Sequence, residues 1–395
     1  MVIKSKNIES AILFSTIILV LIGIMVVGDI ASFRFDNSDF LKQLLWIGVS
    51  IPLCLLFYFL DLHILRKLAF PLLILGLLLL VAVLVPGIGT SVNGSFRRID
   101  VGPIGFQPST IARLILIFYL AHFLAKNQLS IDNSSPLKFV RHFSVIIIFP
   151  VLYFLLIYKE PDLSTAGILF LIYISMLFVA RIKFSTTLSM ILVVSVFLIV
   201  SLITGPDYRR ARISAFSHFV VEGEVPDGED ERYWYQPHES LVALSQGKAL
   251  GKGSGEGRAK LFYLPFVKTD YVFTVIGEEF GFIGSCVLIA LYLIVIIGGL
   301  TLAQNAGSLF YSLLISGLVF NLAYNVIINI GVATSLIPPT GVSLPFISYG
   351  GSAFMIDSIS IALILNASRR ARAEQESLLA RFNNFSSFDR RPLRV

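Results

Sequence analysis

Continuous apolar runs, about ten of them, alternate with short polar stretches along this chain. They occupy residues 11–30, 41–60, 68–85, 111–124, 143–158, 166–180, 187–204, 280–300, 309–332 and 352–365. A helix needs about 20 apolar residues to cross the hydrocarbon of a bilayer, so the shorter runs (the fourth and sixth) reach across only with their polar flanks. The runs are continuous, not alternating, which excludes a strand barrel. The pattern predicts an all-α integral membrane protein with about ten transmembrane helices and a large extracytoplasmic loop, 205–273, between the seventh and eighth. The membrane domain covers 1–366, and 367–395 reads as a partly ordered basic tail. No internal repeat is visible.

Composition agrees. Of 395 residues 56% are hydrophobic and only 14% charged, against about 25% charged in soluble domains. The mean hydropathy is +0.83, more apolar surface than a soluble fold could hide. The first run follows Lys4 and Lys6 and continues without a small-residue cleavage site, so it reads as an anchor helix. The net charge of +6 reflects basic residues at membrane ends and implies no nucleic acid.

Lys and Arg in the short loops set the orientation. One side carries Lys4, Lys6, Arg66, Lys67, Lys126, Lys138, Arg141, Arg181, Lys183 and the tail arginines from Arg369 to Arg394. The other carries Arg34, Lys42, Arg97, Arg98 and Lys159, a ratio of about three to one that puts both termini in the cytoplasm. Cys54 and Cys286 lie in apolar runs and read as small buried hydrophobes. The five histidines are scattered, with no metal-ligand spacing. There is no H-E-x-x-H and no G-x-S-x-G, and Gly247 to Lys252 only loosely resembles a phosphate loop.

Most candidate chemistry lies on the outer side. The 205–273 segment opens with Arg209, Arg210 and Arg212, passes through an acidic patch from Glu222 to Glu231 and Tyr233, Trp234 and Tyr235, then forms a short helix over about 240–249. Gly251, Gly253, Gly255 and Gly257 follow, with Arg258, Lys260 and Lys268 after them. Asp270 stands among Phe262, Tyr263, Leu264, Phe266, Tyr271 and Phe273, and Glu278 and Glu279 open the eighth run. The plain reading is a solvated outer face. Carboxylates at membrane depth are costly, however, which favours function. A carboxylate beside an apolar wall can act as a general base; cations near it can hold phosphate oxygens; alternating glycines let a backbone approach a ligand. Together they point to a lipid-phosphate substrate. Asn321, Asn325 and Asn329 form one stripe on the ninth run, as interhelical glue or as cavity lining. Pro338, Pro339, Pro345, Gly341, Gly350 and Gly351 make 334–351 irregular, so this backbone must be buried in protein or line a wet cavity.

Four ordered stretches carry a resemblance. They are Pro86–Gly89 through Gly94 to Gln107-Pro108-Ser109; Glu160-Pro161-Asp162-Leu163-Ser164-Thr165; 251–281, including Thr269-Asp270-Tyr271 and Gly277-Glu278-Glu279; and 344–352, with Ser348-Tyr349-Gly350. With these the chain resembles the SEDS family of cell-wall polymerases, whose members include FtsW, RodA and SpoVE, and the first stretch with Asp61 to Lys67 is closer to FtsW. The resemblance implies polymerisation of lipid II, the undecaprenyl-pyrophosphate-linked disaccharide peptide, at the outer face of the bacterial inner membrane. It implies Asp270 as the general base of an inverting transfer. Arg97, Gln107, Asp162, Arg258, Lys260, Lys268, Glu278, Ser348 and Gly350 would be substrate-binding. No tightly bound cofactor is implied beyond a divalent cation such as Mg2+ or Mn2+. The implied partners are a class B penicillin-binding protein and the divisome or elongasome.

Departures from the family pattern are Phe96 and Arg98 in the Arg97 stretch, Thr110 for a Glu, Arg113 for a Lys, and Phe266 and Lys268 for a Glu and a His. Competing readings are a flippase for lipid-linked precursor, an elongation-type polymerase, and a non-catalytic scaffold.

Overall fold

The computed structural model describes residues 2–34, 38–92, 95–102, 104–132, 144–203, 207–222, 231–260 and 267–388. Thirteen helices and one small sheet make up the described chain. In order they are α1 (Val2–Arg34), α2 (Ser38–Phe59), α3 (Leu62–Lys67), α4 (Ala69–Leu84), the strands β1 (Gly89–Val92), β2 (Ser95–Val101) and β3 (Ile104–Phe106), then α5 (Pro108–Asp132), α6 (Ser144–Lys159), α7 (Leu163–Val179) and α8 (Phe184–Ile203). The chain continues with α9 (Asp207–Glu222), α10 (Glu231–Gly247), α11 (Val272–Gln304), α12 (Leu309–Ala333) and α13 (Gly351–Phe388).

The expected spans each land on a helix. Among the described residues α1, α2, α5, α11, α12 and α13 are long and apolar enough to cross a membrane alone, while α4, α6 and α7 are shorter apolar helices and α8 covers the seventh run. Helices are required because hydrocarbon offers the backbone no partners. Their faces are inverted relative to a soluble bundle. On α1, Ile12, Leu19, Val26 and Ile30 are buried, whereas Leu13, Phe14, Ile17, Leu21 and Met25 are exposed, a stripe for lipid.

The bundle centre is α12, which packs on α5, α7, α11 and α13. Of its apolar window 72% is buried, against 17% for α2 and 22% for α11, so α2 and α11 are peripheral. Gly298 and Gly299 explain the close packing around α11: a Cβ on the first would meet Ile12 of α1, and one on the second Val319 of α12. Small residues let helices approach where no hydrophobic force drives them together.

Three features differ from the sequence pattern. First, 89–106 folds into an antiparallel sheet of order β1-β2-β3, with Gly89 opposite Ile99 and Ile99 opposite Phe106. Second, α10 starts at Glu231, well before residue 240, and runs through Pro237. Trp234, Pro237, Ser240 and Ala243 form its buried face, and that burial outweighs the hydrogen bond the proline cannot make. Third, the tail does not break from the tenth span, because α13 continues to Phe388. Its basic residues dock on the helix ends beside it: Arg370 on Asp61 at 3.0 Å, Arg372 on Glu9 at 2.9 Å, and Arg369 over Tyr58. Asn93, Gly94, Lys138, Arg141, Gly205, Asp227 and Phe262 to Phe266 lie outside the described residues.

Candidate active site

Asp270 sits in the turn that precedes α11, and the irregular 334–351 loop clasps that turn. Asn329 Nδ2 donates to the Asp270 carbonyl at 3.0 Å and to the Val342 carbonyl at 2.7 Å. Ser348 Oγ donates to the Thr269 carbonyl at 2.6 Å and accepts from Leu344 N at 2.8 Å. Tyr349 N donates to the Lys268 carbonyl at 2.8 Å. A Cβ on Gly341 would stand 3.7 Å from Asp270 Oδ2, and its φ of 79° suits glycine. The carboxylate thus lies against bare backbone and is partly accessible.

Its neighbours come from three other elements. Arg97 of β2 donates through Nε to the Glu160 carbonyl at 3.1 Å, and through Nη2 to the Pro161 carbonyl. Asp162 caps α7, accepting from Thr165 N at 3.1 Å and Thr165 Oγ1 at 2.8 Å, and from Gln107 Nε2 at 3.0 Å. This is the ordinary reason for an Asp before a helix. Gln107 N in turn donates to Ser352 Oγ at 3.2 Å. Ser164 Oγ ties the start of α7 to the Thr340 carbonyl at 2.8 Å.

Burial lifts the Asp270 carboxyl to about 6. A hydrogen bond from Thr269 and the charges of Arg212 and Arg97 offset part of the rise, and the Asp162 charge adds to it. A carboxylate that titrates near 6 and stays ionised at neutral pH is a competent general base. Glu160 is a different case. It is fully buried, and burial first, then the Asp162 charge, lift it to about 9 against the pull of Ser109 and Arg97. At neutral pH it is a neutral acid.

The structure therefore gathers Asp270, Arg97, Gln107 and Asp162. Ser348 is buried and holds the turn, and Gly350 hands the loop to α13. Lys268 is adjacent, ion-paired to Asp39 of α2 and set against Tyr349. The charge of Arg212 on α9 also acts on Asp270; in the sequence it is only one of three arginines in a polar stretch.

The glycine-rich segment does something other than face a ligand. Lys252 N donates to the Glu278 carbonyl and Gly253 N to the Glu279 carbonyl, both at 3.0 Å. The close approach of Gly251 is to backbone at Glu279 and Gly281. Gly281 breaks α11 with φ 66° and ψ −163°, a conformation essentially reserved for glycine, so Glu278 and Glu279 lie in a short helical turn before the span proper.

Glu278 accepts from Arg258 N and Ala259 N at 2.9 Å each and from Lys252 Nζ at 2.6 Å. Lys260 is fully buried, bonded to Glu279 at 2.6 Å, paired with Asp29 of α1, and 4.0 Å from the Phe33 ring centroid. Lys260 and Glu278 are thus buried and engaged by partners within the protein, while the Arg258 side chain is exposed. Gly281→Ala would drive a Cβ into Gly251 and Ala249. The expected loss is about 3 kcal/mol or more, read as a lower melting temperature of the detergent-solubilised protein.

Among the described residues no three His, Cys, Asp or Glu side chains converge as a metal cage would require. Cys54 and Cys286 are free thiols, Cys286 on an exposed face.

The model of the cell cycle protein family FtsW/RodA/SpoVE matches residues 8–373. The chain belongs to that family. Among its relatives in the FtsW/RodA/SpoVE group, stage V sporulation protein E of Bacillus subtilis is 34% identical over 381 residues, covering 94% of this chain and 100% of the relative. The probable peptidoglycan glycosyltransferase FtsW of Legionella pneumophila is 35% identical over 363 residues, covering 90% of this chain and 89% of the relative. Among solved structures, a chain of a peptidoglycan synthase complex superposes with a TM-score of 0.73 at 26% identity, covering 91% of this chain and 97% of that one. An Asp-to-Ala mutant of the Thermus thermophilus rod shape determining protein RodA gives 0.65 at 25% identity, covering 91% and 96%.

Proposed function

We propose that this protein is a peptidoglycan glycosyltransferase of the cell-division type, polymerising lipid II at the outer face of the plasma membrane. Asp270 removes the proton from the C4 hydroxyl of the acceptor's terminal N-acetylglucosamine. The oxygen attacks the anomeric carbon of the donor's N-acetylmuramic acid from the face opposite the leaving group, so the anomeric configuration inverts. The bond to undecaprenyl pyrophosphate breaks, and the pyrophosphate carries away the electron pair. Arg97 and Arg212 face the charge that develops on it, where fixed cations are most effective. The observation that carries the reading is one partly accessible carboxylate in the turn clasped by the 334–351 loop, raised by burial to about 6 and acted on by the charges of Arg97 and Arg212.

A divalent cation such as Mg2+ keeps several waters and takes one or two carboxylates plus substrate phosphates. Asp270 is the carboxylate this site offers, because both oxygens of Asp162 are engaged; the ion would neutralise pyrophosphate. Both termini face the cytoplasm, and a class B penicillin-binding protein cross-links the strand. The structural neighbour from a peptidoglycan synthase complex supports such a partner. A transporter reading is disfavoured by the asparagine stripe, since Asn325 and Asn329 are spent on bonds inside the protein.

The test is the purified protein in vesicles with lipid II as the sole sugar donor. Glycan strands longer than the substrate disaccharide are expected. Flipping of labelled lipid without strand formation would overturn the reading.

A further inference from the structure

At the end of the bundle away from Asp270, the turn between α7 and α8 borders an open, mostly apolar cavity of about 610 Å³. Its other walls are the end of α11, at Leu300 and Gln304, and the start of α12, at Ser312 and Ser316. Ser312 lies about 25 Å along α12 from Asn329, which holds the Asp270 carbonyl. The cavity therefore belongs to the leaflet that the orientation above makes cytoplasmic. Its size falls within the range of small-molecule sites, about 300–1,000 Å³. Phe178 and Phe184 at its rim are largely exposed, so lipid has access to it.

One charge lines this cavity, and its placement is unusual. Arg181 ends α7 with a φ of 58°. Its N donates to the Phe178 carbonyl at 3.0 Å, and Ile182 N donates to the Leu177 carbonyl at 3.2 Å. That pair of bonds is the helix-ending motif whose left-handed residue is ordinarily glycine. An arginine there is strained, and such strain persists where the side chain has a use. A cation anywhere in the last turn would satisfy the helix dipole, so the dipole does not explain this position. Among the described residues Arg181 has neither an ion pair nor a side-chain hydrogen bond, and the same holds for Gln304. The cavity thus joins an apolar interior to a cation without a counter-charge, and Lys183 stands exposed two residues on. Basic pockets between spans on the cytoplasmic side suit anionic lipid headgroups.

We propose that this cavity is a binding site for an anionic phospholipid of the cytoplasmic leaflet, with the phosphate on Arg181 and an acyl chain against Phe178, Ile182 and Phe320. Gln304 and Ser312 supply hydrogen bonds to its ester or phosphate oxygens. A zwitterionic lipid fills the same space but brings its own cation to the phosphate, so it gains less from Arg181. The site stands apart from glycosyl transfer and needs only the orientation given above.

The experiment places the full chain in phosphatidylcholine nanodiscs with a trace of phosphatidylglycerol or phosphatidylcholine carrying a photoactivatable group in its acyl chain. Cross-links are mapped by mass spectrometry. The phosphatidylglycerol probe is expected to label the segments around Phe178 and Phe320 at least about fivefold more than the phosphatidylcholine probe. Arg181→Gly removes the charge and supplies the residue such a turn ordinarily takes, so it should melt at the wild-type temperature or above in phosphatidylcholine alone. Its phosphatidylglycerol labelling at these segments should fall to the phosphatidylcholine level, while labelling elsewhere on the chain is unchanged. A second variant, Ser312→Phe, keeps the charge and fills the cavity; it should lower labelling there by both probes. Equal labelling by the two probes in the wild type would overturn the proposal. So would a preference that survives in Arg181→Gly, or labelling that Ser312→Phe leaves unchanged. Full competition by glycerol 3-phosphate would also overturn it, since the ligand would then be a soluble phosphate ester.

Discussion

Asp270→Asn is expected to remove polymerisation of lipid II while leaving the protein folded. A general base contributes about 10²–10⁴-fold in rate, which is about 3–5 kcal/mol of barrier. The asparagine keeps the shape of the side chain and loses only its ability to accept the proton. Folding should not suffer, because the carboxylate is held in a place that disfavours its charge. Its ordinary value is 3.8 and burial raises it to about 6. The folded state therefore binds the proton more tightly than the unfolded one, and wild-type stability falls as pH rises from about 4 to about 6. Above that window the asparagine variant should melt at the same temperature as the wild type or higher. An inactive variant that also unfolds would leave Asp270 a structural part; one that polymerises at the wild-type rate would remove it as the base.

Lys260→Ala is expected to be the most destabilising of the loop substitutions. Lys260 is the counter-charge of Glu279, which is 1% exposed, and of Asp29. Removing one partner of a buried pair costs about 3–5 kcal/mol, because the remaining charge is uncompensated. The protein should lose much of its melting temperature, and the double variant Lys260→Met/Glu279→Gln should regain a large part of it. Since both printed partners of Lys260 are carboxylates of the protein itself, turnover per folded molecule should change only a few-fold. An unchanged melting temperature with lost lipid II affinity would instead make Lys260 the substrate contact that its sequence position suggested.

That case shows what the sequence could and could not convey. The spans were legible because lipid imposes helices on any continuous apolar run, and the runs around α1, α11 and α12 allow no other structure. Asp270 was legible as a charge among apolar residues at the mouth of a span. The glycine-rich segment was ambiguous for a physical reason: glycine signals a close approach but not what approaches, and at Gly251 it is the backbone of α11. Lys260 and Glu278 looked like substrate ligands because a charge string gives no sign of burial. Their partner Asp29 is on α1, far away in the chain. The same distance hides the charge of Arg212 from Asp270. Strands β1 to β3 are too short to show an alternating pattern, and the start of α10 was obscured by Pro237, which the buried face overrides.

The central claim is that the half-buried carboxylate at position 270 is ionised when the sugar bond forms. The pH dependence of kcat/KM for lipid II polymerisation by the purified full-length protein measures it most directly. Activity should rise with pH through a single acid limb centred near 6, and the limb should be absent from the residual activity of Asp270→Asn. A profile flat from pH 4.5 to 7.5, or a limb that survives in Asp270→Asn, would contradict the account.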